Sequence, residues 1–276
     1  MVSGKETALV DMGHRSSAEV VIRDLAAHGV DNVDYLMPTH VHLDHCGSCG
    51  TLARRYPDAS VLVHPRGEPH LRDPERLVKG AGELFGQDMM KRFGLPDPID
   101  NKRVRGMADD ELVHLGNDLT LRAIWTPGHA PHHMSYLLEG TGSLFTGDAV
   151  GVLHPSFPVL MPTTPPPSFN LEKAIESLQR LGQLPVKKLF TPHFGPDGTV
   201  DWVQLNSSAL MRWRAKLERL VAEGASVDHI VEGFLDDASK RISRPVTQVP
   251  EHLRLTTRVS VLGFTGYLKW RSTQSP

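Results

Sequence analysis

Between residues 39 and 45 the chain reads Thr39-His40-Val41-His42-Leu43-Asp44-His45, which places three imidazoles and a carboxylate within six residues. No other feature restricts the fold as sharply. Packing four such groups together without a metal ion is costly, because neighbouring imidazoles repel when protonated and need partners when buried. The run directly follows Val33-Asp-Tyr-Leu-Met37, an apolar segment that reads as a strand. In an extended or turning segment side chains alternate with period two, so His40 and His42 face one way. Asp44 and His45 then turn the corner towards a second ion.

Three more metal-competent side chains share one local form: an apolar strand, a turn containing Pro or Gly, then the donor. His129 closes Trp125-Thr-Pro-Gly-His129, Asp148 closes Leu144-Phe-Thr-Gly-Asp148, and His193 closes Phe190-Thr-Pro-His193. Strand ends are where α/β architectures assemble their sites. Together the seven donors suit two divalent ions that each keep a position for water or substrate.

The surrounding pattern is α/β. Short apolar runs predict strands at 7–10, 33–37, 60–63, 119–125, 134–138, 143–146 and 186–190. Helices are predicted from Ser17, as a cap, to His28, and over Leu171–Leu181 after an Asn170 cap. Residues 66–110, charged with scattered Gly and Pro, predict a helical insertion bounded by loops. The proline-dense stretch from His154 to Phe169 predicts an ordered loop or lid without regular structure. From Asp201 onward the periodicity is helical only, with a second helix near Val227–Leu235.

Composition removes several function classes. A chain of 276 residues, 39% of them hydrophobic, buries a substantial core without disulfides. Its two cysteines, Cys46 and Cys49, favour a reducing compartment and read as small side chains packing a helical turn. A net charge of -2 steers the chain towards neither nucleic acid nor anionic lipid. No apolar run reaches the ~18 residues of a membrane span. The expectation is a cytoplasmic protein acting on a small molecule, with no nucleic-acid or membrane partner.

The motifs resemble those of the metallo-β-lactamase superfamily, in its dinuclear hydrolase branch. Asp11 in Leu9-Val-Asp11-Met-Gly13, the His40-x-His42-x-Asp44-His45 run, His129, Asp148 and His193 occur in the family's order over about residues 7–195. The resemblance implies a four-layer αββα sandwich over 1–200, with a mainly helical extension, 201–276, packed on it. It further implies that His40, His42 and His129 hold one ion, that Asp44, His45 and His193 hold the other, and that Asp148 bridges them. Zinc is the implied metal, with iron, manganese or cobalt as alternatives. Asp11 would orient a ligating imidazole, and His133 would support the ligands or the fold.

Two such ions supply hydroxide near neutral pH, so the expected activity is hydrolysis of an ester-type bond: lactone, thioester or phosphoester. Asp44 and Asp148 are the acidic groups expected to take part. Lactonases of this superfamily carry a pattern similar to Thr126-Pro-Gly-His129-Ala-Pro-His-His133, and glyoxalase II-type thioesterases share the ligand set. His154, Phe157 and Met161, in the segment after Asp148, are expected to meet a substrate with an apolar part. Two alternatives remain. A persulfide dioxygenase-like oxidoreductase would use one iron and leave His45 and His193 without a ligand's task. A ribonuclease Z-like phosphodiesterase fits poorly with the net charge and the lack of a basic arm. A homodimer is also expected: Thr7–Val10 reads as lying near a sheet edge, and Phe264, Tyr267, Leu268 and Trp270 form an apolar cluster that needs a cover.

Overall fold

In the computed structural model, which describes residues 1–195 and 198–274, the chain folds as two units, Met1–Trp125 with His132–Gly147 and Thr126–Pro131 with Asp148–Pro276.

The first unit opens with strands β1 (Val2–Ser3) and β2 (Thr7–Val10), helix α1 (Ala18–Ala27) and strand β3 (Tyr35–Met37). Helices α2 (Leu43–Cys46) and α3 (Cys49–Arg55), strand β4 (Ser60–Val63), helices α4 (Glu68–Arg72) and α5 (Glu75–Phe93) and strand β5 (Val104–Gly106) follow. These five strands form one sheet in sequence order, parallel except for β1. Period-two alternation splits their side chains between two cores. Leu9, Leu36, Val61 and Val63 pack with Leu25 of α1 and Leu52 of α3. Ala8, Met37 and Leu62 point the other way, where they meet Val113, Leu115, Leu121, Ala123, Met134 and Tyr136. Those partners belong to an antiparallel meander of β6 (Leu112–Gly116), β7 (Leu119–Trp125), β8 (Met134–Leu138) and β9 (Ser143–Phe145). The buried Tyr136 hydroxyl donates to the Pro38 carbonyl at 2.9 Å, tying the meander to the segment that leads into the histidine run.

Several expectations need correction here. Strand β1 pairs outside β2, so Thr7–Val10 has a strand on each side. The span 66–110 is helical over α4 and α5 but ends in β5, parallel to β4; it completes the sheet rather than interrupting it. Ser17 precedes α1 without making a side-chain cap.

The second unit begins with strands β10 (Val152–His154) and β11 (Phe157–Met161), an antiparallel hairpin where the prolines predicted irregular chain. Proline is tolerated in a two-stranded hairpin because each strand has a free edge, where the missing N–H is not needed; Pro158 is exposed. Helix α6 (Leu171–Gly182) starts as expected, with Asn170 Oδ1 accepting the Lys173 N–H at 2.9 Å. Strand β12 (Lys188–Phe190) and helices α7 (Asp201–Ala222), α8 (Val227–Arg241) and α9 (Glu251–Gln274) complete it. Trp213 of α7 stacks on Phe234 of α8 with centroids 4.1 Å apart. Among the described residues, no helix is long and apolar enough to cross a membrane.

The terminal aromatic cluster is covered only in part within its own unit. Phe264 and Tyr267 are buried against Phe169, whereas Trp270 is 52% exposed. Helix α9 approaches the chain at residues 162–166 closely: Thr164 Oγ1 donates to the Ser260 carbonyl (2.8 Å) and Ser260 Oγ to the Pro162 carbonyl (3.1 Å). Gly263 permits this contact, since a Cβ there would lie 2.0 Å from the Thr164 carbonyl oxygen and 2.4 Å from the Pro165 carbonyl carbon. Gly263→Ala is therefore expected to destabilise the protein by about 1–3 kcal/mol, lowering Tm by about 2–4 °C per kcal/mol. Gly266, on the same helix, has nothing within 4 Å of such a Cβ. Gly266→Ala should instead raise stability by up to about 1 kcal/mol. Calorimetry of the two variants checks the pair, and equal shifts would mean that α9 does not dock through Gly263.

Candidate functional site

Five residues of the first unit form a continuous hydrogen-bonded array. Strand β2 ends at Asp11, which adopts a left-handed φ of 51°, a conformation Asp tolerates better than most residues. Its Oδ1 accepts the Thr39 N–H at 2.7 Å, and its Oδ2 accepts the Thr39 hydroxyl at 3.1 Å. Oδ2 also accepts His45 Nδ1 at 2.9 Å. A carboxylate only accepts, so His45 carries its proton on Nδ1 and presents the lone pair of Nε2. The Thr39 hydroxyl, having donated to Asp11, accepts from His40 Nδ1 at 3.0 Å. His40 thereby presents Nε2, which lies 2.9 Å from His42 Nδ1. One carboxylate thus orients two imidazoles, one directly and one through a threonine.

This arrangement grows from local structure. Val41, fully buried in the core beneath, fixes the bend between His40 and His42. His42 is the last extended residue before α2, which carries Asp44 and His45. His40 and His45 are buried while the Asp44 side chain is 38% exposed. His133 is fully buried with its ring 5.0 Å from that of His40. Gly147, at φ +50°, leaves room for both, since a Cβ there would lie 2.5 Å from His133 Nε2 and 2.7 Å from Thr39 Oγ1. His132 is buried as well, and its Nδ1 accepts the Val41 N–H at 3.5 Å.

In the second unit His129 Nδ1 meets the Thr163 carbonyl at 3.0 Å. A carbonyl only accepts, so His129 too presents Nε2 as its lone-pair atom. That atom lies 3.5 Å from Asp148 Oδ2, and His193 Nε2 lies 3.2 Å from Asp148 Oδ1. The Asp148 backbone is held in place, its carbonyl accepting the Thr163 hydroxyl at 2.9 Å. Asp148 is thus a carboxylate with an imidazole at each oxygen.

These donor sets fit divalent metal ions. His40, His42, Asp44 and His45 in one unit, and His129, Asp148 and His193 in the other, are the residues competent to hold them. Three of the five imidazoles are locked in the tautomer that exposes Nε2, as outer hydrogen bonds do for metal-ligating histidines.

Thr39 is the residue whose role sequence reasoning missed; its signal is a hydroxyl placed between a strand end and the first histidine. The cysteines behave as expected. Both are buried and unpaired to each other, and burial pushes both thiols well above their ordinary range, with Asp44 adding to it at Cys46. Phe157 and Met161, expected to meet substrate, are buried on the hairpin at 1% and 4% exposure. His154 does reach the surface, where its ring contacts Phe194 and His252 at 4.4 and 4.5 Å.

Comparison with known proteins supports this picture. The sequence profile described as "Metallo-beta-lactamase superfamily" matches residues 1–193. The metallo-beta-lactamase fold-containing protein ST1585 of Sulfurisphaera tokodaii is 34% identical over 198 residues, covering 71% of each chain. The crystal structure of ST1585 superimposes with a TM-score of 0.65 over 78% of both chains, at 31% identity. The atrochrysone carboxyl ACP thioesterase of Aspergillus fumigatus is 30% identical over 54% of this chain and 38% of its own length. The N-acyl homoserine lactonase AttM of Azorhizobium caulinodans is 27% identical over 63% of this chain and 64% of its own.

Proposed function

The chain belongs to the metallo-beta-lactamase superfamily, and on that premise we propose that it is a dinuclear metal-dependent hydrolase of ester-type bonds, with thioesters and lactones as its first candidate substrates. The observation that carries the reading is the Asp11–Thr39–His40 and Asp11–His45 array, which aims two buried imidazole lone pairs outward from one carboxylate. The relatives named as a thioesterase and a lactonase support the bond class.

In this reading His40, His42 and His129 would hold one ion, Asp44, His45 and His193 the other, and Asp148 both. When bound, two divalent ions supply hydroxide near neutral pH and polarise the oxygen of the bond to be cleaved. The chain's own contribution is orientation. Asp11 holds His45, Thr39 holds His40, and the Thr163 carbonyl holds His129, so none of the three rings rotates away from its task. Asp44, the more exposed of the two acidic residues in the set, would take up the proton given up by the attacking water and pass it to the departing alkoxide or thiolate.

Elemental analysis per chain, followed by lactone, thioester, phosphoester and β-lactam substrates on the same preparation, tests the proposal. Chelation is expected to abolish ester hydrolysis and lower Tm, since a ligand that binds only the folded state stabilises it. Added zinc, manganese or cobalt should restore both. One iron per chain with oxygen-dependent turnover would replace this reading with the persulfide dioxygenase-like alternative. Hydrolysis that survives complete metal removal would overturn it.

A further inference from the structure

Immediately after His193 the second unit exposes an aromatic side chain that no core holds. Phe194 is 47% exposed and sits at a left-handed φ of 66°, a conformation that is a genuine outlier for a bulky residue. Glycine would occupy it without strain, and Gly195 is the next residue. Strained, non-glycine backbone persists where surrounding structure over-determines it, and such residues gather at ligand sites.

The surroundings of Phe194 are built from three separate segments. His154, at the end of β10, approaches it at 4.4 Å with the rings inclined at 70°. His252, in the first turn of α9, approaches it at 5.2 Å and His154 at 4.5 Å. His154 Nδ1 accepts the Ser156 N–H at 3.1 Å, so the neutral ring presents Nε2–H as a donor. Burial, followed by the neighbouring His154, holds His252 below the ordinary histidine range, which favours its neutral form. The result is a partly exposed ring flanked by two imidazoles, one chain position from a residue whose Nε2 lies 3.2 Å from Asp148.

We infer that Phe194, His154 and His252 form a stacking subsite for a planar, aromatic acyl group, with the His154 Nε2–H meeting an oxygen that the group carries. The inference rests on the hydrolase reading for the bond that is cleaved, but its binding component is measurable without turnover. It makes the start of the C-terminal helix a determinant of specificity. Phe194 and His252 are specificity residues rather than members of the metal set.

The probes are naphthalene-2-carboxylate and cyclohexanecarboxylate, each titrated into the full chain with and without zinc. Aromatic stacking beyond simple area burial should give the naphthoate a preference of about 2- to 13-fold. Phe194→Gly should abolish that preference and raise Tm by about 2 °C through relief of the left-handed strain, with metal content unchanged. Phe194→Leu, which keeps apolar bulk but no ring, should also lose the preference. Retention of the preference in either variant would overturn the subsite, and a fall in Tm for Phe194→Gly would assign the ring to the core instead. The two readings fail separately. A zinc-loaded chain that binds naphthoate through Phe194 yet cleaves no ester would refute the hydrolase and leave the subsite standing. A chain that cleaves esters with no aryl preference would do the reverse.

Discussion

Replacing Asp148 with alanine is expected to strip metal from the chain and lower kcat/KM for its best ester by at least about a hundredfold. Asp148 is a carboxylate with an imidazole at each oxygen, His129 at 3.5 Å and His193 at 3.2 Å. Its backbone is held independently, because its carbonyl accepts the Thr163 hydroxyl and the Asn206 side chain donates to the carbonyl of the next residue, Ala149, at 3.0 Å. The substitution therefore removes charge and ligand atoms while the turn stays in place. Asp148→Asn keeps the shape and one oxygen, so it should fall between wild type and alanine in metal content. Metal analysis and steady-state kinetics on all three proteins decide the matter. An alanine variant with full activity and one metal per chain would show that Asp148 bridges nothing.

Asp11 should matter nearly as much without touching metal or substrate. Its carboxylate accepts three hydrogen bonds, two from Thr39 and one from His45. Asp11→Asn retains the left-handed backbone, which Asn tolerates, but replaces one acceptor oxygen by a donor NH2 group that opposes the donors facing it. Metal affinity is expected to drop about 10- to 100-fold, measured by competition with a chromophoric chelator. Asp11→Ala leaves the buried donors unmet and should add a stability loss of about 1–3 kcal/mol. Thr39→Val is the finer probe, since it removes the hydroxyl that links Asp11 to His40 while leaving the Thr39 N–H and His45 bonds to Asp11 in place. Wild-type metal affinity in Asp11→Asn would mean that packing alone orients His45 and His40.

Much of this was legible in the sequence because the signals are local. Strands at 7–10, 60–63, 119–125 and 134–138 appear residue for residue, since their apolar runs are bounded by turn residues within the same stretch. The convergence of His40 on His42 was legible for the same reason: two side chains, two residues apart on bent, extended backbone, need no distant partner to meet. Asn170 at the start of α6 belongs to this class as well, its cap being closed three residues on.

What escaped the sequence depends on neighbours far along the chain. Strand β5 buries little beyond Val104 and exists because β4 offers it a ladder of hydrogen bonds. The hairpin of β10 and β11 was hidden by prolines whose missing N–H groups cost nothing at a free edge. That pairing carries Phe157 and Met161 as buried side chains. The sequence alone supplied the candidate metal donors and their order along the chain, because donor chemistry and strand-end spacing are written residue by residue. Tertiary structure alone decided which nitrogen His40, His45 and His129 present and which imidazoles stand beside Phe194. A tautomer is set by its hydrogen-bond partner, and Asp11 lies 34 residues from His45, as His252 lies far from His154 along the chain.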